Sequence, residues 1–111
     1  MNIYDFPNIP LSEELTTVLA ESSNVRIERI ISTGQTSDWY DQSETEFVVL
    51  LEGNAIIEYD DSKSVTLSKG DTLLIKPHER HKWHLPRKPH PVYGFACFMS
   101  RPYTYTFYAK L

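Results

Sequence analysis

The sequence lacks the features that define several large protein classes. Its only cysteine is Cys97, so no intramolecular disulfide can form, and such cysteine usage fits a reducing compartment. No apolar run reaches the roughly 18 residues that a membrane-spanning helix requires. The first ten residues have neither the basic start nor the apolar stretch of a secretory signal, and we therefore expect a cytoplasmic protein.

Basic residues are also few and scattered. The 111 residues include 11 Lys and Arg against 15 Asp and Glu, which gives a formal net charge of −4. Nucleic acids and anionic membranes are normally bound by clustered Lys and Arg side chains, and the sequence has no such cluster. We therefore expect neither a nucleic-acid partner nor a membrane partner.

Signatures of nucleophilic catalysis and of nucleotide binding are missing as well. Ser43 lies near carboxylates but has no oxyanion signature, and Cys97 lies in the apolar run VYGFACFM, which predicts a buried, inert thiol. There is no phosphate-binding glycine-rich loop and no dinucleotide fingerprint. If the protein is an enzyme, its residues permit a metal-centred reaction or acid–base chemistry by Glu, His and Tyr.

The sequence does contain the size and patterning of one all-β domain, residues 1–111. Short apolar stretches alternate with turn signals such as Glu52-Gly53 and Lys69-Gly70-Asp71, at intervals of about ten residues, as in sandwiches and barrels. We predict a β-barrel over about 25–108. Its strands are expected near 25–30, 47–51, 54–59, 65–67, 72–75, 81–85, 92–99 and 103–108.

One short helix is predicted before the strands, over about 11–21. The apolar residues at 11, 15, 18 and 19 fall at i, i+4, i+7 and i+8, which is one face of a 3.6-residue period. Ser12 can cap the first turn, and the two glutamates that follow it suit the positive end of the helix dipole.

Two glycine-anchored blocks resemble the signature motifs of the cupin superfamily. The first, GQTSDWYDQSETEFVVLLEG from Gly34 to Gly53, is similar to G-x5-H-x-H-x3,4-E-x6-G. The second, GDTLLIKPHERH from Gly70 to His81, is similar to the start of G-x5-P-x-G-x2-H-x3-N. The two blocks resemble those of small bacterial cupins whose activity is mostly unassigned. The resemblance implies a small double-stranded β-helix, or jelly-roll, cupin barrel, which commonly pairs as a homodimer.

Four residues stand where cupins carry their metal ligands. Glu46 and His81 match the family's Glu and His, whereas Tyr40 and Gln42 replace its first two His residues. The resemblance implies a divalent metal (Mn, Fe, Ni or Zn) held by Gln42, Glu46 and His81. In an enzyme, Tyr40 and Glu46 would be the catalytic residues, with Tyr40 as an acid–base group or a fourth ligand.

The alternation of side chains along a strand groups the same residues, without reference to the family. Alternate residues of a strand share a face, so Tyr40, Gln42 and Glu46 would point inward together, and His81 and Trp83 would share a face on another strand. A carboxylate, an amide, a phenol and an imidazole would then meet among apolar side chains, the usual composition of a small-molecule site. His78 and His84 have the opposite parity to His81 and are expected in loops or at the surface.

Two functions remain open from the sequence. The first is a metal-dependent enzyme that acts on a small polar metabolite. The second is a non-catalytic module that binds a small polar molecule through a metal-free hydrogen-bonded cluster. A third reading, in which the site is vestigial and the dimer itself is the function, is also compatible with the residues.

Overall fold

The computed structural model describes residues 1–5, 14–34, 36–85 and 92–100 of the chain. Within these ranges the chain forms eight β-strands in two antiparallel sheets. The strands are β1 (Leu15–Glu21), β2 (Val25–Ser32), β3 (Thr45–Glu52), β4 (Ala55–Tyr59), β5 (Ser64–Leu67), β6 (Thr72–Ile75), β7 (His81–His84) and β8 (Val92–Met99). The predicted strand at 103–108 lies outside the described residues.

The larger sheet has the strand order β1-β2-β8-β3-β6, and the smaller one has the order β5-β4-β7. The predicted all-β architecture is therefore confirmed, with each predicted strand between 25 and 99 present. The expected closed barrel is not found, because no ladder of described strands joins the two sheets. Segment 36–40 instead runs beside β7 through isolated bridges, Thr36 with His84 and Tyr40 with His81.

The predicted helix over 11–21 is wrong for the residues that the structure describes. Leu15–Glu21 is a strand that pairs with β2 from Leu15 opposite Ile31 to Glu21 opposite Arg26. Pairing with a neighbouring strand outweighs a weak local helix preference, and Thr16-Thr17-Val18 is a β-branched run. The described ranges contain no helix with the length and apolar character needed to cross a membrane.

Glycine makes the turn that carries the chain from the larger sheet to the smaller one. Gly53 lies between β3 and β4 with a φ of +91°, a conformation that side chains with a Cβ rarely adopt. A Cβ at this position would lie 3.0 Å from the Cγ2 atom of Val92. The turn thus requires glycine twice, for its backbone angle and for its close approach to β8.

The hydrophobic core lies between the two sheets. Leu50 and Val92 come from the larger sheet, and Ala55, Ile57 and Leu67 come from the smaller one, each at most 5% exposed. Because inward-facing residues of both sheets meet, the strands nearest the core are held in a fixed relative position. The relative position of the two sheets therefore determines the size of the cavity beside the core.

Candidate functional site

A cavity of about 510 Å³ lies against the inner face of the larger sheet and is bounded by β7 and by the segment that runs beside it. The volume is within the roughly 300–1,000 Å³ typical of small-molecule pockets. Much of the wall is apolar and aromatic. It includes Val48, Leu50, Trp83, Leu85, Phe95 and Phe98.

Four polar side chains that the sequence predicted as a cluster line this cavity: Tyr40, Gln42, Glu46 and His81. Glu46 and His81 are 4% and 1% exposed, whereas Tyr40 is 44% exposed. Tyr40 therefore marks the side on which the cavity opens to solvent, and the acid and the imidazole lie deeper.

Glu46 lies on an interior strand of the larger sheet, next to the edge strand β6. It lies on β3 between Ile75 of β6 and Phe98 of β8, and Gln42 Nε2 donates a hydrogen bond of 3.1 Å to its Oε1 atom. Burial raises the pKa of Glu46 to about 7, against the lowering effect of the Gln42 hydrogen bond. Near neutral pH the acid and the carboxylate are therefore both populated, which suits a group that gives or takes a proton.

The pKa of Glu46 is also set by charges on its own side of the sheet. The carboxylates of Glu28 and Glu44 raise it, and the guanidinium of Arg26 lowers it. Arg26 bridges these two carboxylates, with Nε 2.6 Å from Glu28 Oε2 and the two terminal nitrogens each 3.2 Å from an oxygen of Glu44. Arg26 thereby offsets part of the negative charge around the cavity acid.

His81 is fixed by its backbone and by its ring. Its amide donates to the carbonyl oxygen of Tyr40 at 3.0 Å, and its own carbonyl accepts from the Tyr40 amide at 2.7 Å. Its Nδ1 atom lies 2.8 Å from the carbonyl oxygen of Glu79, which can only accept, so Nδ1 is the protonated donor. In the neutral ring, Nε2 is then the atom with a free lone pair, available to a ligand.

Tyr40 covers the imidazole on the open side of the cavity. The ring centroids of Tyr40 and His81 are 5.7 Å apart and the planes are tilted by 31°. Burial raises the pKa of Tyr40, and the carboxylates of Glu14, Asp38 and Glu46 raise it further. Tyr40 is therefore a phenol at neutral pH and can donate a hydrogen bond.

The remaining histidines of the described ranges lie away from the cavity lining, as parity predicted. His78 is exposed in a turn, where its Nδ1 atom lies 2.7 Å from Asp41 Oδ1. His84 is on β7 with its Nε2 atom 2.9 Å from Glu58 Oε1. Both imidazoles bind surface carboxylates, and neither belongs to the cluster.

The sequence interpretation missed three further carboxylates in the cavity wall, Glu14, Glu28 and Asp38. The sequence predicts Glu14 in a helix, whereas in the structure it lies directly before β1. Glu28 lies on β2, which was predicted as a strand, but apolar residues occur on both faces of β2 and so do not indicate which face lines the cavity. Asp38 is part of an irregular segment, where no periodicity indicates which way a side chain points.

The predicted metal ligands Gln42, Glu46 and His81 lie in one cavity, but their donor set suits a metal poorly. Among the described residues, no three His, Cys, Asp or Glu side chains are grouped closely enough to hold a metal ion. Gln42 donates through its amide nitrogen to Glu46, so a metal could be ligated by Gln42 only through its Oε1 atom. With one imidazole, one carboxylate and one neutral amide oxygen, the set has a single formal negative charge to offer a divalent ion.

Structural comparison supports this fold over most of the chain. A proposed mannose-6-phosphate isomerase of Ralstonia eutropha JMP134 is similar with a TM-score of 0.82 and 30% identity, over 90% of this chain and 96% of that one. A cupin superfamily protein of Desulfitobacterium hafniense DCB-2 has a TM-score of 0.73 and 18% identity, over 85% of this chain and 84% of that one. Likeness at 18% identity shows the fold alone.

Sequence comparison gives the family. A search of the curated proteins found no match. The family model described as "Cupin domain" matches residues 28–92, more than half of the chain and the whole of the segment that carries Tyr40, Gln42, Glu46 and His81. The protein therefore belongs to the cupin family.

Proposed function

We propose that the cavity binds a small polar molecule through Tyr40, Gln42, Glu46 and His81 without a resident metal. The observation that carries this proposal is the burial of Glu46 and His81, 4% and 1% exposed, in the wall of one largely apolar cavity. Buried polar groups are costly unless they find hydrogen-bond partners. Glu46 already accepts from Gln42, and His81 already donates to the Glu79 carbonyl oxygen. A ligand that donates to Glu46 and to the Nε2 atom of His81 would add to these bonds from within the cavity.

Three of the four polar side chains have distinct roles toward the ligand in this proposal. The phenol of Tyr40 donates at the open side, and the Nε2 atom of His81 accepts deeper in the cavity. Glu46 accepts as a carboxylate or donates as an acid, because its pKa of about 7 makes both forms available at neutral pH. If the bound molecule carries an acidic C–H or O–H, Glu46 is the group able to remove and return that proton.

The name of the Ralstonia neighbour suggests a sugar phosphate as one candidate ligand. Phosphate is usually bound by Arg or Lys side chains or by backbone amides at a helix N-terminus. The described part of the cavity wall has no Lys, no Arg and no helix. We therefore propose a ligand without a phosphate group.

A thermal-shift screen of polar metabolites tests the metal-free proposal. Stabilising compounds should retain their effect after a chelator is added, and Glu46→Gln and His81→Gln should abolish it. His84→Gln is the matched control, because His84 is on the same strand but outside the cavity lining. If every stabilising compound loses its effect with chelator, the metal-free proposal is wrong.

The metal-dependent enzyme is the second candidate, and one observation favours it. The bond from His81 Nδ1 to the carbonyl oxygen of Glu79 is the type of outer contact that orients metal-ligating histidines. This candidate has Gln42, Glu46 and His81 as ligands of Mn²⁺, Fe²⁺, Ni²⁺ or Zn²⁺. Elemental analysis after loading with each metal should then find about one metal per chain, lost in Glu46→Ala and His81→Ala. Absence of metal under every loading condition would exclude it.

A further inference from the structure

One position in the wall of the cavity has no side chain. Gly94 is on β8, in the interior of the larger sheet, opposite Ile30 of β2 and Leu50 of β3, and all three residues line the cavity. Apart from chain neighbours, a Cβ added to Gly94 would have one atom of the described residues within 4 Å, the carbonyl oxygen of Val49 at 3.9 Å. Unlike Gly53, Gly94 has no positive φ. Neither the backbone nor the packing of the described residues therefore requires glycine here.

The missing side chain opens the backbone of β8 to the cavity. The lining residues of β2 and β3 alternate strictly along each strand, as expected when one face of a sheet borders a cavity. On β8 the alternation is broken at Phe95, which lines the cavity although its side chain has the outward parity. Phe95 therefore reaches the wall through its backbone, beside Gly94. Because β8 is paired on both sides, with β2 and with β3, its backbone offers van der Waals contact here rather than hydrogen bonds.

The surroundings of Gly94 are apolar. Leu50 and Val92 are 2% and 5% exposed and belong to the hydrophobic core. Trp83 and Leu85 pack against the same core and also line the cavity. The exposed residues of the lining lie elsewhere, on β1 or its flank and in the irregular segment beside β7. An apolar group placed at Gly94 would therefore make dispersion contacts with the wall and would displace no well-bound water.

The polar end of the cavity is separate from this apolar end. Leu50, opposite Gly94, is four residues from Glu46 on β3, a separation of about 13 Å at the usual rise of a strand. Leu85 is likewise four residues from His81 along the chain. The cavity thus has hydrogen-bonding groups at one end and apolar groups at the other, and a compact polar molecule would occupy only the first.

We propose that the ligand is an elongated amphipathic molecule and that Gly94 determines its length. Its polar head bonds to Glu46 and to the Nε2 atom of His81, and its apolar body lies on the open backbone of β8 at Gly94. This inference rests on the proposed function, because it names the class of molecule that the same cavity binds. It adds a specificity-determining residue that makes no hydrogen bond to the ligand.

The stability of Gly94→Ala tests the first step without a ligand. Alanine restricts the unfolded chain more than glycine does, and its methyl group would enter unfilled space. Urea unfolding should therefore show an equilibrium constant for folding that is about two- to fivefold larger than that of the wild type. A lower stability would show that the fold itself requires this glycine, which would contradict the inference.

A homologous series of neutral probes tests the shape of the ligand. Propanamide, pentanamide and heptanamide have the same primary amide head, whose two N–H groups can donate to Glu46 and His81, on chains of increasing length. Each further CH₂ group that is buried in the cavity should tighten binding about fourfold. Protein-detected NMR titration measures the weak as well as the tighter members of the series.

Substitutions on β8 locate the apolar body. Gly94→Leu should weaken heptanamide binding at least tenfold, because its side chain would take the space of the probe, and should leave propanamide binding unchanged. Gly94→Ala should act in the same direction to a smaller extent. Cys97→Val is the control, because it enlarges a side chain of the same strand that does not line the cavity. This variant should keep the full gain of affinity with chain length.

The outcomes separate this inference from the proposed function. If propanamide binds as tightly as heptanamide, the amphipathic ligand is wrong and the polar site stands. If the gain with chain length survives Gly94→Leu, the apolar body lies elsewhere and the inference is wrong. If no amide binds, the inference is also wrong, and the metabolite screen with Glu46→Gln and His81→Gln decides the proposed function by itself.

Discussion

Replacing Glu46 by Gln should change how the stability of the protein depends on pH. The substitution keeps the shape of the side chain and removes its ionisation. Burial raises the pKa of Glu46 from its ordinary value of 4.5 to about 7, and each pKa unit corresponds to about 1.36 kcal/mol. Ionisation of this carboxyl therefore destabilises the folded state by about 3 kcal/mol, a large part of the 5–15 kcal/mol stability of a typical domain.

The sign follows from proton binding. A raised pKa means that the folded protein holds the proton more strongly than the unfolded chain does. The stabilising contribution of protonated Glu46 is therefore complete below the unfolded pKa of 4.5 and is lost as the pH rises through about 7. The Gln variant has no such loss. Its stability relative to the wild type should increase by about 3 kcal/mol between about pH 4 and pH 8.

Urea unfolding at a series of pH values measures this difference, since other titrating groups contribute equally to both proteins and cancel. Glu21→Gln is the control, because Glu21 is exposed and its loss should leave the pH profile parallel to that of the wild type. If Glu46→Gln loses as much stability as the wild type over the same pH range, the cavity acid does not carry the raised pKa. The acid–base role proposed for it would then have no basis.

Three further predictions concern packing and charge. Ile57→Ala removes a side chain that is 0% exposed in the core and should lower the unfolding free energy by about 2–5 kcal/mol in urea unfolding. Gly53→Ala should destabilise more than Gly70→Ala in the same assay. Both glycines have a positive φ, costing about 1–2 kcal/mol, but only at Gly53 would the new Cβ contact β8. Arg26→Gln should raise the pKa of Glu46 in a carboxyl NMR titration; no change would refute the proposed charge balance.

Local patterns were sufficient to predict the turns and most of the strands. Gly53 and Gly70 mark turns in the sequence, and the structure gives both a positive φ. Alternation of apolar and polar residues placed the strands from 25 to 99 because the side-chain period of a strand is a property of a few consecutive residues. The same alternation was the reason for grouping Tyr40 and Gln42 with Glu46, on the condition that the strand stays regular. In the structure β3 begins only at Thr45, so Tyr40 and Gln42 line the cavity from the irregular segment before the strand.

The first strand shows where such patterns fail. The apolar spacing at 15, 18 and 19 fits a helical face, yet the chain pairs with β2 instead. The register shift between Val18 and Ala20 interrupts the alternation that would have indicated a strand. Which partner strand is available is a tertiary property, and it outweighs the local preference of seven residues.

The sequence by itself determined the strand order along the chain, the glycine turns and the set of polar residues able to share a cavity. Only the tertiary structure decided that Glu14, Glu28 and Asp38 join them, because these residues come from separate segments whose relative position depends on sheet pairing. It also decided the chemistry of Glu46. A carboxyl acquires a pKa of about 7 through removal from water and through neighbouring charges, and both depend on packing in three dimensions.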